Sequence, residues 1–282
     1  MSKVLLGAPV AQAIKQNVKT KASALRAQGI IPTLAIVRVG QRQDDIAYER
    51  SALKVAASLD VDVKVYSFNE DASQEELEGA ISSINENQEI HGCLLFRPLP
   101  KGIDEATLCN KLIHAKDLDG VSVQSLGGVF AGNGMGFPPC TAQACIELCE
   151  FYDVPLEGKH VVVIGRSLVI GKPVAMLFLE KNATVTICHS RTKNLAQITK
   201  AADIIVCATG RAKAYGEEYF SPGQVVLDVG INVDGEGNIC GDVDFDAVEP
   251  LVGAITPVPR GVGAVTTALL MQHLVVSATR RV

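Results

Sequence analysis

A glycine-containing turn at residues 165–173 has the composition of a phosphate-binding loop. It follows the apolar run 161–164 and leads into a helical pattern. Gly165 and Gly171 permit a tight turn and a close phosphate approach, Arg166 and Ser167 lie between them, and the next helix begins with unpaired N–H groups. This is the logic of the dinucleotide fingerprint, although Ser167 replaces its second glycine and Gly171 comes one place late. Taken alone, the turn is equally compatible with an α/β connection that needs glycine for backbone reasons.

The exit of the next predicted strand indicates which dinucleotide is bound. NAD enzymes place an Asp or Glu about 20 residues after the fingerprint, where it holds the ribose 2′-hydroxyl. Here the strand 184–188 ends in residues 189–193, which include Ser190 and Arg191 and no carboxylate. A hydroxyl and a cation suit a 2′-phosphate, so the sequence predicts NADP rather than NAD. The alternative is a polar loop with ordinary surface charge.

Two further strand ends are expected to border the same site. Thr209 and Gly210 end one predicted strand, and Gly230 and Ile231 follow the next. Ligands of open α/β sheets bind at the carboxyl ends of the strands. We therefore include these four residues in the predicted cofactor site, with the backbone around Ile231 at the nicotinamide end.

The elements that position these residues form two successive α/β series. Apolar residues alternate between helical and strand-like periods along the chain. The first series has the order β-α-β-α-β, which implies a parallel sheet covered by helices. A capping-box pattern at Ser73 and Glu76 marks one helix start. The other expected helices are 9–25, 44–59, 141–152 and 263–277, the expected strands are 33–39, 61–68, 90–96, 160–164, 184–188, 204–208 and 225–229, and residues 120–136 are expected to be a glycine-rich loop.

The fold class predicted from this pattern is α/β with two domains. A length of 282 residues suits two domains at about 150 residues each. The first, residues 1–140, is expected to be a three-layer α/β domain with a parallel sheet, completed by the C-terminal helix within 263–282. The second, residues 141–262, is expected to be Rossmann-like and to carry the cofactor site.

Composition excludes several classes of function. A net charge of -5 offers no basic surface for nucleic acid, and no stretch reaches the roughly 18 apolar residues of a membrane span. The N-terminus lacks the apolar core of a signal peptide, so we expect a cytoplasmic protein. None of the 8 cysteines forms a C-x-x-C pair or has metal-ligand spacing. We therefore expect buried, reduced thiols and no metal site.

Five segments in order resemble the methylenetetrahydrofolate dehydrogenase/cyclohydrolase family. Besides the turn, they are Lys-Asp-Leu-Asp-Gly at 116–120, Pro-Cys-Thr at 139–141, Val-Leu-Asp-Val-Gly-Ile-Asn at 226–232 and Thr-Pro-Val-Pro at 256–259. The resemblance implies an NADP-dependent oxidoreductase of one-carbon metabolism, with its tetrahydrofolate substrate in a cleft between the domains. It also implies a homodimer formed through the second domain.

The resemblance also assigns residues to the folate site. Tyr48 matches the catalytic family tyrosine that stacks on the pterin and aminobenzoyl region. Asp119 matches the catalytic aspartate that holds the pterin, a role suited to a carboxylate that accepts paired hydrogen bonds. Four residues resemble the wall of that site: Pro257, Val258, Pro259 and Gly261. Without the resemblance, Asp119 is an ordinary turn residue and the prolines form a rigid turn.

Departures from the family pattern bear on activity. Ala52 stands one helical turn after Tyr48, where the family has lysine, and Phe96 occupies the position of a family glutamine in the substrate site. Arg260 and Ala264 replace a glycine and a proline. Hydride transfer needs the alignment of two bound ligands, whereas hydrolysis of the methenyl product needs a group that moves protons. We therefore expect a dehydrogenase with weak or absent cyclohydrolase activity.

Three other interpretations stay open at this point. The chain is bifunctional if Arg97, Lys54 or Arg260 takes over the lost polar roles, although strand alternation points Arg97 away from its neighbour Phe96. It is a folate- or NADP-binding protein without chemistry if the losses abolish turnover. A dehydrogenase of small hydroxy acids would need a catalytic Lys–Asp pair, and the folate-like segments argue against it.

Overall fold

A computed structural model describes residues 2–280, which form two compact units. The three-stranded unit contains Ala13–Cys140 and the chain from Thr267 onward, and the six-stranded unit contains the chain up to Gln12 and Thr141–Thr266. The names refer to the main sheet of each unit. These units differ from the predicted domain limits chiefly at the start of the chain. Residues 281 and 282 of the predicted C-terminal segment lie outside the described range.

Helices and strands alternate along most of the chain. The strands are β1 (Lys3–Val4), β2 (Thr33–Val39), β3 (Asp62–Phe68), β4 (Gly92–Leu95), β5 (His160–Ile164), β6 (Thr184–Cys188), β7 (Ile204–Cys207), β8 (Val225–Asp228), β9 (Asn232–Val233), β10 (Ile239–Cys240) and β11 (Ala254–Ile255). The helices are α1 (Gly7–Ala27), α2 (Gln43–Ser58), α3 (Gln74–Glu86), α4 (Glu105–Lys111), α5 (Val123–Ala131), α6 (Cys140–Phe151), α7 (Gly171–Glu180), α8 (Leu195–Lys200), α9 (Phe245–Val248) and α10 (Thr266–Thr279).

The sheet of the three-stranded unit has the order β3-β2-β4, and its strands are parallel. β2 lies in the centre, and its residues 34–37 are fully buried because they are apolar on both faces. Phe96 extends the ladder beyond β4, since its N–H donates to Val37 O at 3.0 Å. Ser73 Oγ accepts a hydrogen bond from Glu76 N at 3.1 Å at the start of α3, which confirms the predicted cap.

The sheet of the six-stranded unit has the order β1-β11-β8-β7-β5-β6, with every neighbouring pair parallel. The chain runs outward from β5 in both directions, since β6 lies on one side of it and β7 on the other. In such doubly wound sheets the carboxyl ends of the two strands at the reversal border a ligand crevice. β9 and β10 form a separate antiparallel pair after β8.

The predicted loop at 120–136 is wrong over much of its length, because α5 occupies Val123–Ala131. Ser122 Oγ accepts a hydrogen bond from Ser125 N at the start of this helix, and Gly132 ends it with a φ of 60°. A Cβ on Gly128 would lie 1.9 Å from Met135 O, so this glycine permits close packing within a helix. The helices α4, α8 and α9 and the short strands β1, β9, β10 and β11 were not predicted. The remaining predicted helices and strands agree with the structure to within a few residues.

All eight cysteines are buried and free, which confirms the prediction that they act as small apolar residues. Burial raises the pKa of the Cys109 thiol to about 11, so it stays protonated at neutral pH. Within residues 2–280 no group of three or more metal-binding side chains is close enough to hold an ion. No helix in the same range is long and apolar enough to cross a membrane.

Candidate functional site

The turn between β5 and α7 is built on two glycines that no larger residue could replace. Gly165 has a φ of 134°, and a Cβ on it would lie 2.3 Å from Ala208 O. A Cβ on Gly171 would lie 2.4 Å from Gly165 O. Ser167 Oγ accepts hydrogen bonds from Ile170 N at 3.1 Å and Gly171 N at 3.4 Å, which orders the entry to α7. The backbone of this turn therefore lies against Ala208, the residue that follows β7.

A cavity of about 520 Å³ lies at the ends of β5, β6 and β7. Five predicted cofactor residues line it: Gly165, Arg166, Ser167, Ser190 and Thr209. The other five are not among its lining residues: Gly171, Arg191, Gly210, Gly230 and Ile231. Its lining combines polar and apolar residues and contains no carboxylate, and such a surface fits a phosphate-bearing dinucleotide.

The loop after β6 places Arg191 beside this cavity. His189 N donates to Thr192 Oγ1 at 2.9 Å, and Arg191 N donates to His189 Nδ1 at 3.2 Å. These bonds close a tight turn, while the side chains of Ser190 and Arg191 are exposed. Ser190 therefore lines the cavity, and Arg191 follows it directly in the same turn with an exposed side chain.

Tyr48 and Phe96 come together in the three-stranded unit. Their ring centroids lie 5.7 Å apart at an interplanar angle of 65°, an edge-to-face contact. Arg38 Nε donates to Glu49 Oε2 at 2.8 Å, which ties α2 to β2 beside Tyr48. The Tyr48 hydroxyl accepts a hydrogen bond from Thr267 Oγ1 at 3.5 Å. An aromatic surface is thus fixed on one side of this unit.

Asp119 is half-buried at the entry to α6. Its Oδ1 accepts a hydrogen bond from Cys140 N at 3.1 Å. Burial raises the pKa of the Asp119 carboxyl, and the bond from Cys140 opposes this rise. The preceding carbonyl, Leu118 O, accepts a hydrogen bond from His273 Nδ1 at 2.7 Å. The turn that carries Asp119 is therefore held by α6 and α10.

The other charged residues of the segment 116–120 are structural. Lys116 is fully buried, and its Nζ donates to Asn85 O and Asn87 O, each at 2.8 Å, at the end of α3. The Asp117 carboxylate accepts hydrogen bonds from the N–H groups of residues 121 and 122. Asp119 is thus the acidic residue of this segment that is left for a ligand.

The segment 257–264 belongs to the six-stranded unit. A Cβ on Gly261 would lie 2.4 Å from Pro257 O, so this chain reversal requires glycine. Arg260 has a φ of 84°, a left-handed conformation that glycine adopts at the least cost. Its carbonyl accepts a hydrogen bond from Gly7 N at 2.8 Å. The places of Pro257, Val258, Pro259 and Gly261 in a folate site stay a prediction.

Comparison with known proteins places the chain in a family. Residues 5–119 match the family model "Tetrahydrofolate dehydrogenase/cyclohydrolase, catalytic domain", and residues 139–282 match "Tetrahydrofolate dehydrogenase/cyclohydrolase, NAD(P)-binding domain". The chain belongs to the tetrahydrofolate dehydrogenase/cyclohydrolase family. This confirms the resemblance noted from five sequence segments, the α/β fold class, and the expectation of an enzyme with a nicotinamide cofactor.

Individual relatives of this family are similar over the full chain. The bifunctional protein FolD of Carboxydothermus hydrogenoformans is 52% identical over 98% of this chain and 96% of that one. The crystal structure of bifunctional FolD from Campylobacter jejuni superposes with a TM-score of 0.97 at 36% identity, covering 100% of both chains. FolD of Trypanosoma brucei, solved with NADP cofactor and an inhibitor, gives a TM-score of 0.93 at 33% identity, over 99% of this chain and 98% of that one.

The family resemblance gave no role to three buried residues that lie behind these sites: the carboxylate pair Asp228 and Asp242, and His273. Asp228 and Asp242 lie buried beneath the exits of β7 and β8, and burial raises the pKa of Asp228 to about 7. His273 lies behind Asp119, and burial lowers its pKa to about 4. Their hydrogen-bond partners are distant in the sequence. Asp242 and Thr209 are 33 residues apart, and His273 and Leu118 are 155 residues apart. Local spacing therefore carried no signal for them.

Proposed function

We propose that the chain oxidises 5,10-methylenetetrahydrofolate to 5,10-methenyltetrahydrofolate with NADP as oxidant, and that its cyclohydrolase activity is weak or lost. The observation that carries the second part is the environment of Tyr48. On the same helix face, one turn later, stands Ala52, which is fully buried, and the ring that packs against Tyr48 belongs to Phe96. Neither of these side chains can donate or accept a proton.

The cofactor half of the proposal rests on the β5–α7 turn and the loop after β6. Gly165 and Gly171 bring the backbone close to a bound pyrophosphate, with Arg166 and Ser167 beside it. Ser190 and Arg191 would hold the 2′-phosphate. When bound, NADP supplies the acceptor for the hydride that leaves the folate methylene carbon. The exits of β7 and β8, with Thr209, Gly210, Gly230 and Ile231, are assigned to the nicotinamide end.

The folate half of the proposal rests on Tyr48, Phe96 and Asp119. The two rings offer an apolar face on which a pterin or aminobenzoyl group can stack. The free lone pairs of the Asp119 carboxylate can accept hydrogen bonds from pterin N–H groups. Hydride transfer needs no protein base once both ligands are aligned, so the residues present suffice for oxidation.

Neither Arg97 nor Lys54 is well placed to replace the family lysine. Arg97 Nη1 lies 3.6 Å from Glu105 Oε1, in an ion pair at the start of α4. Lys54 lies two residues beyond Ala52 on α2 and is exposed, so it occupies a different side of the helix. Loss of general acid–base catalysis lowers a rate about 10²–10⁴-fold. We expect the rate of methenyl-folate hydrolysis to be lower by this factor than in an enzyme that has the family lysine and glutamine.

A bifunctional dehydrogenase/cyclohydrolase is the second candidate. Relatives about half identical to this chain carry the name bifunctional protein FolD, and that name is the observation that favours it. In this alternative another group, such as Arg97, Lys54 or Arg260, moves the protons. A folate- and NADP-binding protein without turnover is the third interpretation and predicts no reduced cofactor at all.

A time course with the full chain separates these candidates. Purified protein receives methylenetetrahydrofolate and NADP, and reduced cofactor and methenyl-folate are followed separately. We expect both to accumulate together, with methenyl-folate decaying only at its spontaneous rate. Rapid passage to 10-formyltetrahydrofolate favours the bifunctional candidate, and the absence of reduced cofactor favours the binding protein. The variant Asp119→Ala, which removes the pterin contact, is the control for turnover at this site.

The assembly and cellular location are part of the same proposal. We infer a homodimer formed through the six-stranded unit and a cytoplasmic location, both from the family resemblance. Size-exclusion chromatography with light scattering measures the first, and a mass of a single chain at micromolar concentration would contradict it.

A further inference from the structure

Asp242 is a buried carboxylate to which the proposed reaction gives no role. It follows β10 in the six-stranded unit and is 0% exposed. It belongs to no ion pair among residues 2–280. A carboxylate buried without a cation is unfavourable unless hydrogen-bond donors surround it, so its surroundings indicate what it stabilises.

Five donors meet the two oxygens of Asp242. Oδ2 accepts hydrogen bonds from Thr209 N at 2.5 Å, Thr209 Oγ1 at 2.9 Å and Gly210 N at 3.2 Å. Oδ1 accepts from Arg211 N and Asn232 Nδ2, each at 2.9 Å. Three consecutive backbone N–H groups at the exit of β7 are thus oriented by one carboxylate, which also holds the residue that begins β9.

Two glycines are fitted around this carboxylate and its neighbour Asp228. A Cβ on Gly230 would lie 2.1 Å from Asp242 Oδ1, and a Cβ on Gly241 would lie 1.9 Å from Asp228 Oδ2. Asp228 Oδ1 in turn accepts hydrogen bonds from Gly230 N at 3.1 Å and Asp242 N at 3.0 Å. The glycine of the segment 226–232 is therefore required by the approach of Asp242, independently of any ligand.

We propose that Asp242 is a positioning residue for the cofactor site, which acts by fixing the exits of β7 and β8 in one arrangement. The proposal rests on the assignment of those exits, with Thr209, Gly210 and Gly230, to NADP. Because the carboxylate lies beneath the backbone, it acts on the cofactor through these loops. Its loss should weaken cofactor binding more than folate binding.

The substitution Asp242→Asn tests this with the smallest change in shape. An asparagine amide has one accepting oxygen in place of the two carboxylate oxygens. Its NH₂ group would point at two or more N–H or O–H donors that now bind the carboxylate, so these hydrogen bonds are lost. Supporting groups of this kind, when removed, lower binding or activity about 10- to 100-fold. The neighbouring variant Asp244→Asn is the matched control, since Asp244 makes no side-chain cap bond at the start of α9.

The experiment measures NADP binding by calorimetric titration, KM for both substrates, and amide hydrogen exchange on the full chain. Asp242→Asn should raise the Kd and KM of NADP at least about tenfold, leave the folate KM within about twofold, and speed exchange at residues 209–211 and 230. Asp244→Asn should match the wild type. Thr209→Val removes a single donor to Oδ2 and should speed exchange at 210 and 211, so it tests the idea even if Asp242→Asn does not fold.

Three results would overturn the inference: unchanged NADP binding in Asp242→Asn, equal losses for NADP and folate, or unchanged exchange at 210 and 211 in Thr209→Val. A wild-type protein that does not bind NADP would instead refute the proposed function. The two failures are therefore distinguished by the wild-type titration.

Discussion

His273 tests how the turn that carries Asp119 is held in place. Its ring is buried, its Nδ1 donates to Leu118 O at 2.7 Å, and it stacks on Phe137 at a centroid distance of 4.7 Å. Burial lowers the pKa of this imidazole to about 4, and Arg280 acts in the same direction, while the bond to Leu118 opposes it. The folded protein therefore keeps His273 neutral at physiological pH.

The low pKa of His273 makes stability depend on pH in a defined window. Above pH 6.5 the residue is neutral in both the folded and the unfolded chain. As pH falls from about 6.5 to about 4, the unfolded chain takes up a proton that the folded chain does not, so the folded state loses stability. At about 1.4 kcal/mol per pH unit, the full loss is about 3 kcal/mol.

The variant His273→Asn isolates this contribution, because asparagine keeps an N–H donor but does not titrate. Urea unfolding is measured for both proteins at several pH values between 7.5 and 4.5. The unfolding free energy of the wild type should fall by about 2–3 kcal/mol more than that of the variant over this range. Taking the difference between the two proteins cancels the other titrating groups. Parallel pH profiles would show that His273 contributes nothing to this pH dependence, as would a measured imidazole pKa near 6.5.

Three further predictions concern the cofactor, hydrolysis and the backbone. Arg191→Ser should raise the KM of NADP about 10-fold or more and leave that of NAD unchanged; equal effects on both, in steady-state kinetics, would remove Arg191 from the 2′-phosphate site. The double variant Ala52→Lys with Phe96→Gln should speed methenyl-folate hydrolysis about 10²-fold or more, and an unchanged rate in the same assay would contradict the role given to these positions. Arg260→Gly should raise the unfolding free energy by about 1 kcal/mol because Arg260 has a left-handed φ of 84°; loss of stability in urea would show that the arginine side chain contributes more.

Local features of the chain were predictable because their causes are local. The turn after β5 combines a strand, a glycine at its end and a following helix, and the structure places these as expected around Gly165. The same holds for the cap at Ser73. In each case the interacting groups lie within a few residues, so spacing alone carries the information.

Other features depend on contacts between distant segments and could not be predicted. α5 contains Gly127 and Gly128, which suggested a loop, but Gly128 lies inside the helix because its missing Cβ lets Met135 O approach. The segment 116–120 contains three charged residues, and only the structure separates the two that hold the backbone from Asp119. Asp242 shows the same limit, since its donors come from two strand exits.

We propose that this chain lacks an efficient cyclohydrolase, because Ala52 stands one helical turn after Tyr48 and the Phe96 ring packs against the Tyr48 ring. The most direct test of this proposal supplies methenyltetrahydrofolate itself, without cofactor, at neutral pH, and follows the loss of its absorbance with and without the full-length protein. We expect a rate within a few-fold of the spontaneous reaction at every protein concentration used. A rate that grows in proportion to protein and exceeds the spontaneous one about a hundredfold would contradict it.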